Sequence, residues 1–369
     1  MIYLDNAATT KMYDEALEAY IYAQKNIFAN PSALHSFGME AENLIKDTKK
    51  YIGKVISADQ SEIFFTKSAT ESNNIAIKSL DGVAITSKIE HSSVIEPFKN
   101  SRFKNVIFLE NDPYGFIKLD DLINKLNNDI TFVSIIYVNN EIGTIQNIKA
   151  ISDTIKSFNK DIILHIDATQ ALGKIDCNVD KLGIDLMSFS AHKFHGPKQI
   201  GGLYVRKDIQ GKIKSLLDGG YQEKFSSGTS NAPAIYAMKV ALKKQIESKE
   251  YEYIEELNKY FRKLIAENIS DYYFISPEKN SSPYILDIGF AKNKSEVLLH
   301  MLEEEEIYVS SGSACSKGED NRVLKGLDLD EKYIDGAIRF SFSNDISKKD
   351  LDFTIKVLKN SLDMIRMVI

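Results

Sequence analysis

A chain of 369 residues, 43% hydrophobic and 27% charged, is long enough for a large lobe and a smaller one around buried cores, which excludes a disordered polymer. Its formal net charge of −6 gives no extended positive field for a phosphate backbone, and no run nears the roughly 20 apolar residues that span a bilayer, so neither nucleic acid nor membrane is an expected partner. The start MIYLDNAATT lacks a secretory pattern, two cysteines form no disulfide framework, and six scattered histidines show no paired ligand spacing, so a cytoplasmic protein without a metal site is expected.

Strand-like runs follow in chain order at 62–66 (EIFFT), 83–87 (VAITS), 105–109 (NVIFL), 131–138 (TFVSIIYV), 161–167 (DIILHID), 185–190 (DLMSFS) and 201–207 (GGLYVRK). Helical stretches separate most of them, which predicts βαβ units in a mainly parallel, helix-covered sheet of the α/β class. Several runs are apolar almost throughout, as strands buried on both faces are. From Pro233 to about Asn268 one long, charged helical pattern predicts a connector to a C-terminal lobe. Beyond it come strand-like runs at 284–290 (YILDIGF) and 337–343 (AIRFSFS), a small-residue loop at 310–318 (SSGSACSKG), and a final helix. Glu303 to Glu306 read as a solvated helix face.

Chemistry concentrates where these runs end. The segment DLMSFSAHKFHGPKQIGG places Lys193 at a strand's carboxyl end, the edge at which open α/β sheets bind ligands, and a lysine held there suits a Schiff-base nucleophile. Taken alone, such a lysine is an ordinary surface residue. HIDATQ delivers Asp167 at another strand end, where a fixed carboxylate keeps a pyridine nitrogen protonated, although an isolated aspartate there serves as well as a turn residue. In FFTKSATESNN a strand breaks into small and hydroxylated residues before a helical run starting near Glu71, and the free amides of a helix start, with Thr70, form a natural phosphate cradle, although a capping segment of Ser or Thr before Glu looks the same. Thr229 in SSGTSN is a further hydroxyl for the same phosphate.

The segments LDNAATT, NPSALH, ATESNN, EHSSV, VNNEIGTIQ, HIDATQALGK, DLMSFSAHKFHGPKQIGGLYVRK, SSGTSN, SSGSACS and AIRFSFS occur in the order found in cysteine desulfurases of the class V aminotransferase group, and the resemblance covers nearly the whole chain. It implies the aspartate aminotransferase-like fold (fold type I): a seven-stranded, mainly parallel large domain and a smaller α+β C-terminal domain. The implied division is 1–15, packing with the small domain, then 16–245 and 246–369. It also implies pyridoxal 5'-phosphate as cofactor, bound covalently by Lys193, with Asp167 at the ring nitrogen and His91 on the ring face. Asn140 and Gln170 match residues at the phenolic oxygen, Asn140 also lying at the substrate, while Ala69, Thr70, Ser190 and His192 match the phosphate pocket. Thr229 matches a phosphate contact from the other subunit, which implies a homodimer with shared active sites. Arg339 matches the arginine that grips the substrate carboxylate.

Cys315 in SSGSACS resembles the persulfide-forming cysteine of the members that supply sulfur for iron-sulfur clusters and tRNA thiolation, and its polar surroundings argue against a buried structural thiol. The implied reaction takes L-cysteine to L-alanine and passes sulfur through Cys315 to an acceptor protein. A selenocysteine lyase or another class V aminotransferase-type enzyme is the alternative from the same fold, neither of which needs such a cysteine, and a non-catalytic scaffold would be expected to lose Lys193 or Asp167. Cys177 reads as structural. Lys67 and Ser68 stand where the family has serine and glycine, so a loop re-aimed by the lost glycine, or a charge added by Lys67, is expected at the phosphate. Ser226 replaces an arginine in a segment that is one residue shorter, leaving that arginine's contribution at the subunit boundary unfilled.

Overall fold

A computed structural model describes residues 1–220, 222–311 and 322–368. Twelve strands are present among them: β1 (Ile2–Tyr3), β2 (Ile63–Thr66), β3 (Asp81–Ser87), β4 (Arg102–Leu109), β5 (Ile130–Ile136), β6 (Ile163–Asp167), β7 (Leu186–Ser190), β8 (Gly201–Val205), β9 (Tyr272–Phe274), β10 (Ile285–Phe290), β11 (Ile307–Tyr308) and β12 (Ala337–Ser341). Seven of them form one sheet in the order β2-β8-β7-β6-β5-β3-β4, parallel except for β8, which runs antiparallel to both neighbours. All seven runs read from the sequence are in it.

The apolar runs have a simple cause in this sheet. Phe64, Phe132, Leu186 and Leu203 pack into one buried cluster, whereas the next residue in each strand, Phe65, Val133, Met187 and Tyr204, packs into another on the opposite face. Successive strand side chains point to opposite faces, so a sheet covered on both sides needs apolar residues at every position. Helices Ala69–Ser79 and Ser92–Lys99 supply one cover, and Asp14–Asn26, Ser36–Ile56, Ile148–Phe158 and Ala232–Glu247 the other. No described helix is long and apolar enough to cross a membrane.

The charged stretch after Pro233 differs from the single helix its pattern predicts. It forms two helices, Ala232–Glu247 and Glu250–Asn268, separated by Lys249 in the left-handed region (φ 51°). The break turns Glu250 inward, where its carboxylate accepts a hydrogen bond of 2.8 Å from the Tyr13 hydroxyl. Helical periodicity on both sides of a two-residue turn hides that turn from a pattern-based reading. Beyond it, β12, β10 and β9 form a separate antiparallel sheet over another apolar cluster, which also takes in Ile2 and Leu4.

The N-terminal segment is tied to the end of the chain. β1 pairs with β11, the Ser341 amide donates to the Leu4 carbonyl at 2.6 Å, and the Asn6 side chain donates to the Ser341 carbonyl at 3.0 Å. Residues 5–13 then cross to the large sheet, where the Thr10 amide donates to the His192 carbonyl and the Tyr13 amide to the His195 carbonyl, each at 3.0 Å.

Candidate active site

The carboxyl ends of β2, β5, β6 and β7 open into one cavity of about 250 Å³. Of the residues singled out from the sequence, Ala69, Thr70, His91, Asn140, Asp167, Gln170, Ser190, His192, Lys193 and Arg339 all line it. Thr229 is exposed and lies outside that lining, and Cys315 falls outside the described residues.

Lys193 sits in the 3₁₀ turn Ala191–Lys193 that directly follows β7. Its ammonium donates to the carbonyls of Ala7 and Ala8, both at 2.7 Å, so the N-terminal strap holds the lysine at the cavity wall. Asp167 closes β6 with its carboxylate fully engaged: Oδ2 accepts from Asn73 Nδ2 at 2.9 Å, and Oδ1 accepts from the amide of Thr169 at 3.0 Å and from its hydroxyl. Asn73 also donates to Ser93 Oγ at 2.9 Å, and Ser93 bonds His91 Nδ1 at 2.8 Å. One buried chain, Asp167–Asn73–Ser93–His91, therefore orients the acid and the imidazole together. The Ser93 amide donates to His91 Nδ1, which assigns the neutral ring's proton to Nε2, and burial lowers the His91 pKa so that the ring stays neutral.

The loop after β2 forms a helix start without strain. Ser68, at φ −171° and ψ 165°, is extended and caps helix Ala69–Ser79 through its hydroxyl, which accepts from the Glu71 amide at 3.2 Å. Its backbone is of a kind any residue adopts, so serine in place of glycine costs no strain here. Lys67 is exposed and does not line the cavity; its amide donates to Glu71 Oε2 at 2.6 Å. The Ser226 hydroxyl donates to Glu71 Oε1 at 2.8 Å, joining the shortened segment to the same helix start. Gly201 lets β8 come close, because a Cβ there would lie 2.8 Å from the Ser68 carbonyl carbon and 3.0 Å from the Ala69 nitrogen. The amides of Ala69 and Thr70, engaged by neither cap, stand at the cavity wall as an anion site.

Two polar groups lining the cavity, Asn140 Oδ1 and Arg339 Nε, are buried without a hydrogen-bond partner. The rest of the Arg339 guanidinium pairs with Asp5 at 2.8 Å and donates to the Asn140 carbonyl at 2.9 Å. Unpaired buried polar atoms are costly, and here they mark groups awaiting a ligand. The donor set suits pyridoxal 5'-phosphate: a helix start for a phosphate, a buried carboxylate for a ring nitrogen, an amide for an oxygen, and a lysine for the carbonyl carbon.

The sequence does not single out Asn73, Ser93, Thr169, Ala7 or Ala8, although all stand inside the quoted motifs. Nor does it single out Asp287, on β10 opposite Arg339, whose carboxylate oxygens are both buried and unpaired. Burial, with Glu141 beside it and Arg339 opposing, pushes the Asp287 pKa up to about 7. An acid raised in the folded state holds a proton that the unfolded chain has released, so stability falls as pH rises from about 4 to about 7. Asp287→Asn is therefore expected to raise the Tm at pH 8 and leave it unchanged at pH 4. Equal shifts at both pH values would rule out a titrating carboxyl.

The two described ends around Cys315 are fastened at the site. Ser310 and Arg339 exchange backbone hydrogen bonds of 3.2 and 2.7 Å, and the Arg322 guanidinium donates to the carbonyls of Lys88 and Glu90, next to His91. Cys177 is buried in the large core, where burial drives its thiol pKa up and keeps it from ionising.

The Aminotransferase class-V family model matches residues 2–353. The cysteine desulfurase IscS of Dictyoglomus turgidum is 40% identical, the match covering 100% of this chain and 96% of that protein. A solved NifS-like protein superposes with a TM-score of 0.90 at 33% identity, covering 98% of this chain and 99% of the other. The structure described as SspA in complex with cysteine aligns with a TM-score of 0.82 at 32% identity, over 93% of this chain and 99% of that one. A family match across residues 2–353, together with a cavity lined by a strand-end lysine, aspartate and arginine, shows that the chain belongs to the class-V aminotransferases.

Proposed function

We propose that the protein is a homodimeric, pyridoxal 5'-phosphate-dependent cysteine desulfurase of the cytoplasm that converts L-cysteine to L-alanine and carries the sulfur on Cys315 as a persulfide. An acceptor protein then takes the sulfur for iron-sulfur cluster or thiolated tRNA synthesis. The observation that carries this reading is the single cavity in which Lys193, Asp167, His91 and Arg339 meet. Relatives named cysteine desulfurase along the whole chain support it.

When bound, the cofactor supplies an electron sink that acidifies the amino acid's α-carbon. Asp167, fixed by Asn73 and Thr169, holds a proton on the ring nitrogen; the Ala69 and Thr70 amides with Ser190 and His192 take the phosphate; Asn140 and Gln170 serve the phenolic oxygen. Lys193 would anchor the group and, as general base, would take the α-proton and return it to the α-carbon before alanine leaves. Arg339 receives the substrate carboxylate. The neutral His91 would cover the ring, its Nδ1 held by Ser93. Cys315 thiolate then attacks the substrate sulfur: an S–S bond forms, the C–S pair stays with carbon, and that carbon takes up a proton to become alanine's methyl group. Cys315 follows by five residues Ser310, whose backbone is paired to that of Arg339.

The exposure of Thr229, apart from the cavity, supports its service to a partner subunit, and the exposed Leu17, Ile21, Tyr22, Phe28 and Leu34 along one helix and its following loop support dimerisation through an apolar surface. Separate apolar clusters, one from residues 13–242 and one from residues 2–7 and 254–365, support the division near residue 245 with the N-terminal segment joined to the small domain. The test is a spectrum of the purified protein with and without L-cysteine, beside an alanine assay. A near-visible band perturbed by cysteine with alanine release is expected, and a protein without the band overturns the reading.

A further inference from the structure

Resting on that reading, we propose that Lys174 is a positioning residue for the reaction: it fixes the side-chain amide of Gln170 in one orientation and keeps a positive charge beside Lys193. Nothing in the chemistry above uses Lys174. It stands seven residues after Asp167, on the segment leading away from β6, and its ammonium is directed at the far side of the cavity wall.

The geometry is a continuous chain. Lys174 Nζ donates to Gln170 Oε1 at 3.3 Å, Gln170 Nε2 donates to the Ala7 carbonyl at 2.9 Å, and that same carbonyl accepts from Lys193 Nζ at 2.7 Å. A glutamine amide has two orientations, and an ammonium donates only. With Lys174 present, Oε1 must face it, so Nε2 is turned toward the strap and cavity. Without Lys174 the amide keeps only the Ala7 carbonyl to choose between the two orientations.

The cation has its own seat. It lies 4.8 Å above the Tyr284 ring, faces Glu250, and has Lys193, His192 and His195 around it. Glu250 Oε2 is shared with the Tyr13 hydroxyl and Gln245, whereas Glu250 Oε1 is buried and unpaired. Burial and Lys193 lower the Lys174 pKa to about 7 while Glu250 opposes them. His192 and His195 are driven neutral, chiefly by burial, to about 3 and about 4, so they add no competing charge near pH 7. Two amines on one hydrogen-bonded chain do not both keep protons cheaply. Glu250 and the Tyr284 face favour a proton on Lys174, which places a cation on the same hydrogen-bonded chain as Lys193.

The test is a pH titration of the absorbance of the full-length, cofactor-loaded protein, with kcat and KM for L-cysteine, on wild type, Lys174→Met and Lys174→Arg. Lys174→Met removes the charge at similar volume and is expected to move the titration midpoint of the Lys193-bound cofactor upward by about one pH unit. It should lower kcat more than it raises KM. Lys174→Arg, which keeps a cation, should return the midpoint to within a few tenths of a unit of wild type. An unchanged midpoint in Lys174→Met, or a shift that Lys174→Arg does not reverse, overturns the proposal even if activity falls, because lost packing alone does not move a titration. A wild-type protein with no cofactor band would instead overturn the functional reading on which the proposal rests.

Discussion

Lys193→Ala is expected to lower alanine formation from L-cysteine by more than about 10³-fold and to remove the near-visible band, because the variant loses the covalent anchor and the general base together. The fold should survive. The two carbonyls that Lys193 satisfies, those of Ala7 and Ala8, border the cavity, where water takes the place of the ammonium. Thermal melting within a few degrees of wild type, alongside the activity assay and the spectrum, checks this. A Lys193→Ala protein that still binds the cofactor covalently would show that another amine is the anchor and would remove Lys193 from the mechanism.

Cys315→Ser is expected to separate the two halves of the reaction. No role in holding the cofactor falls to Cys315, so the cofactor band and its response to L-cysteine should persist, while sulfide release under reducing conditions falls by about 10³-fold and no persulfide forms on the protein. Mass spectrometry of the protein after a single incubation with cysteine reads this directly: a gain of one sulfur in wild type, none in the variant. A variant that still acquires sulfur would place the acceptor elsewhere. Cys177 does not fill that role, since it is buried in the core with its thiol held protonated.

Much of this site is legible in the sequence because its residues stand at strand ends. β6 stops at Asp167 and β7 at Ser190, so the ends of two apolar runs mark the positions of Asp167 and Lys193. The seven strands of the large sheet are legible for the same reason, as burial on both faces leaves unbroken apolar runs. The orienting network is hidden. Asn73 reaches Asp167 across 94 residues and Gln170 reaches Ala7 across 163, and no local pattern encodes contacts between elements that only folding brings together. At Ser68 the missing glycine is legible but its local role is not: the backbone there is extended and its hydroxyl caps a helix. The break at Lys249 is masked by helical patterns on both sides, and only the buried partner of Glu250 gives it a reason.

The strap that holds Lys193 also sets the order in which the site is finished during synthesis. Its residues 4 to 7 are made well before their partners, Arg339 and Ser341, which follow more than 330 residues later. Closing a loop of more than 330 residues costs entropy that only those final contacts repay. The nascent large domain can therefore collapse around its sheet before the strap is fastened, and the cofactor pocket is completed only once residues 339–341 have been made.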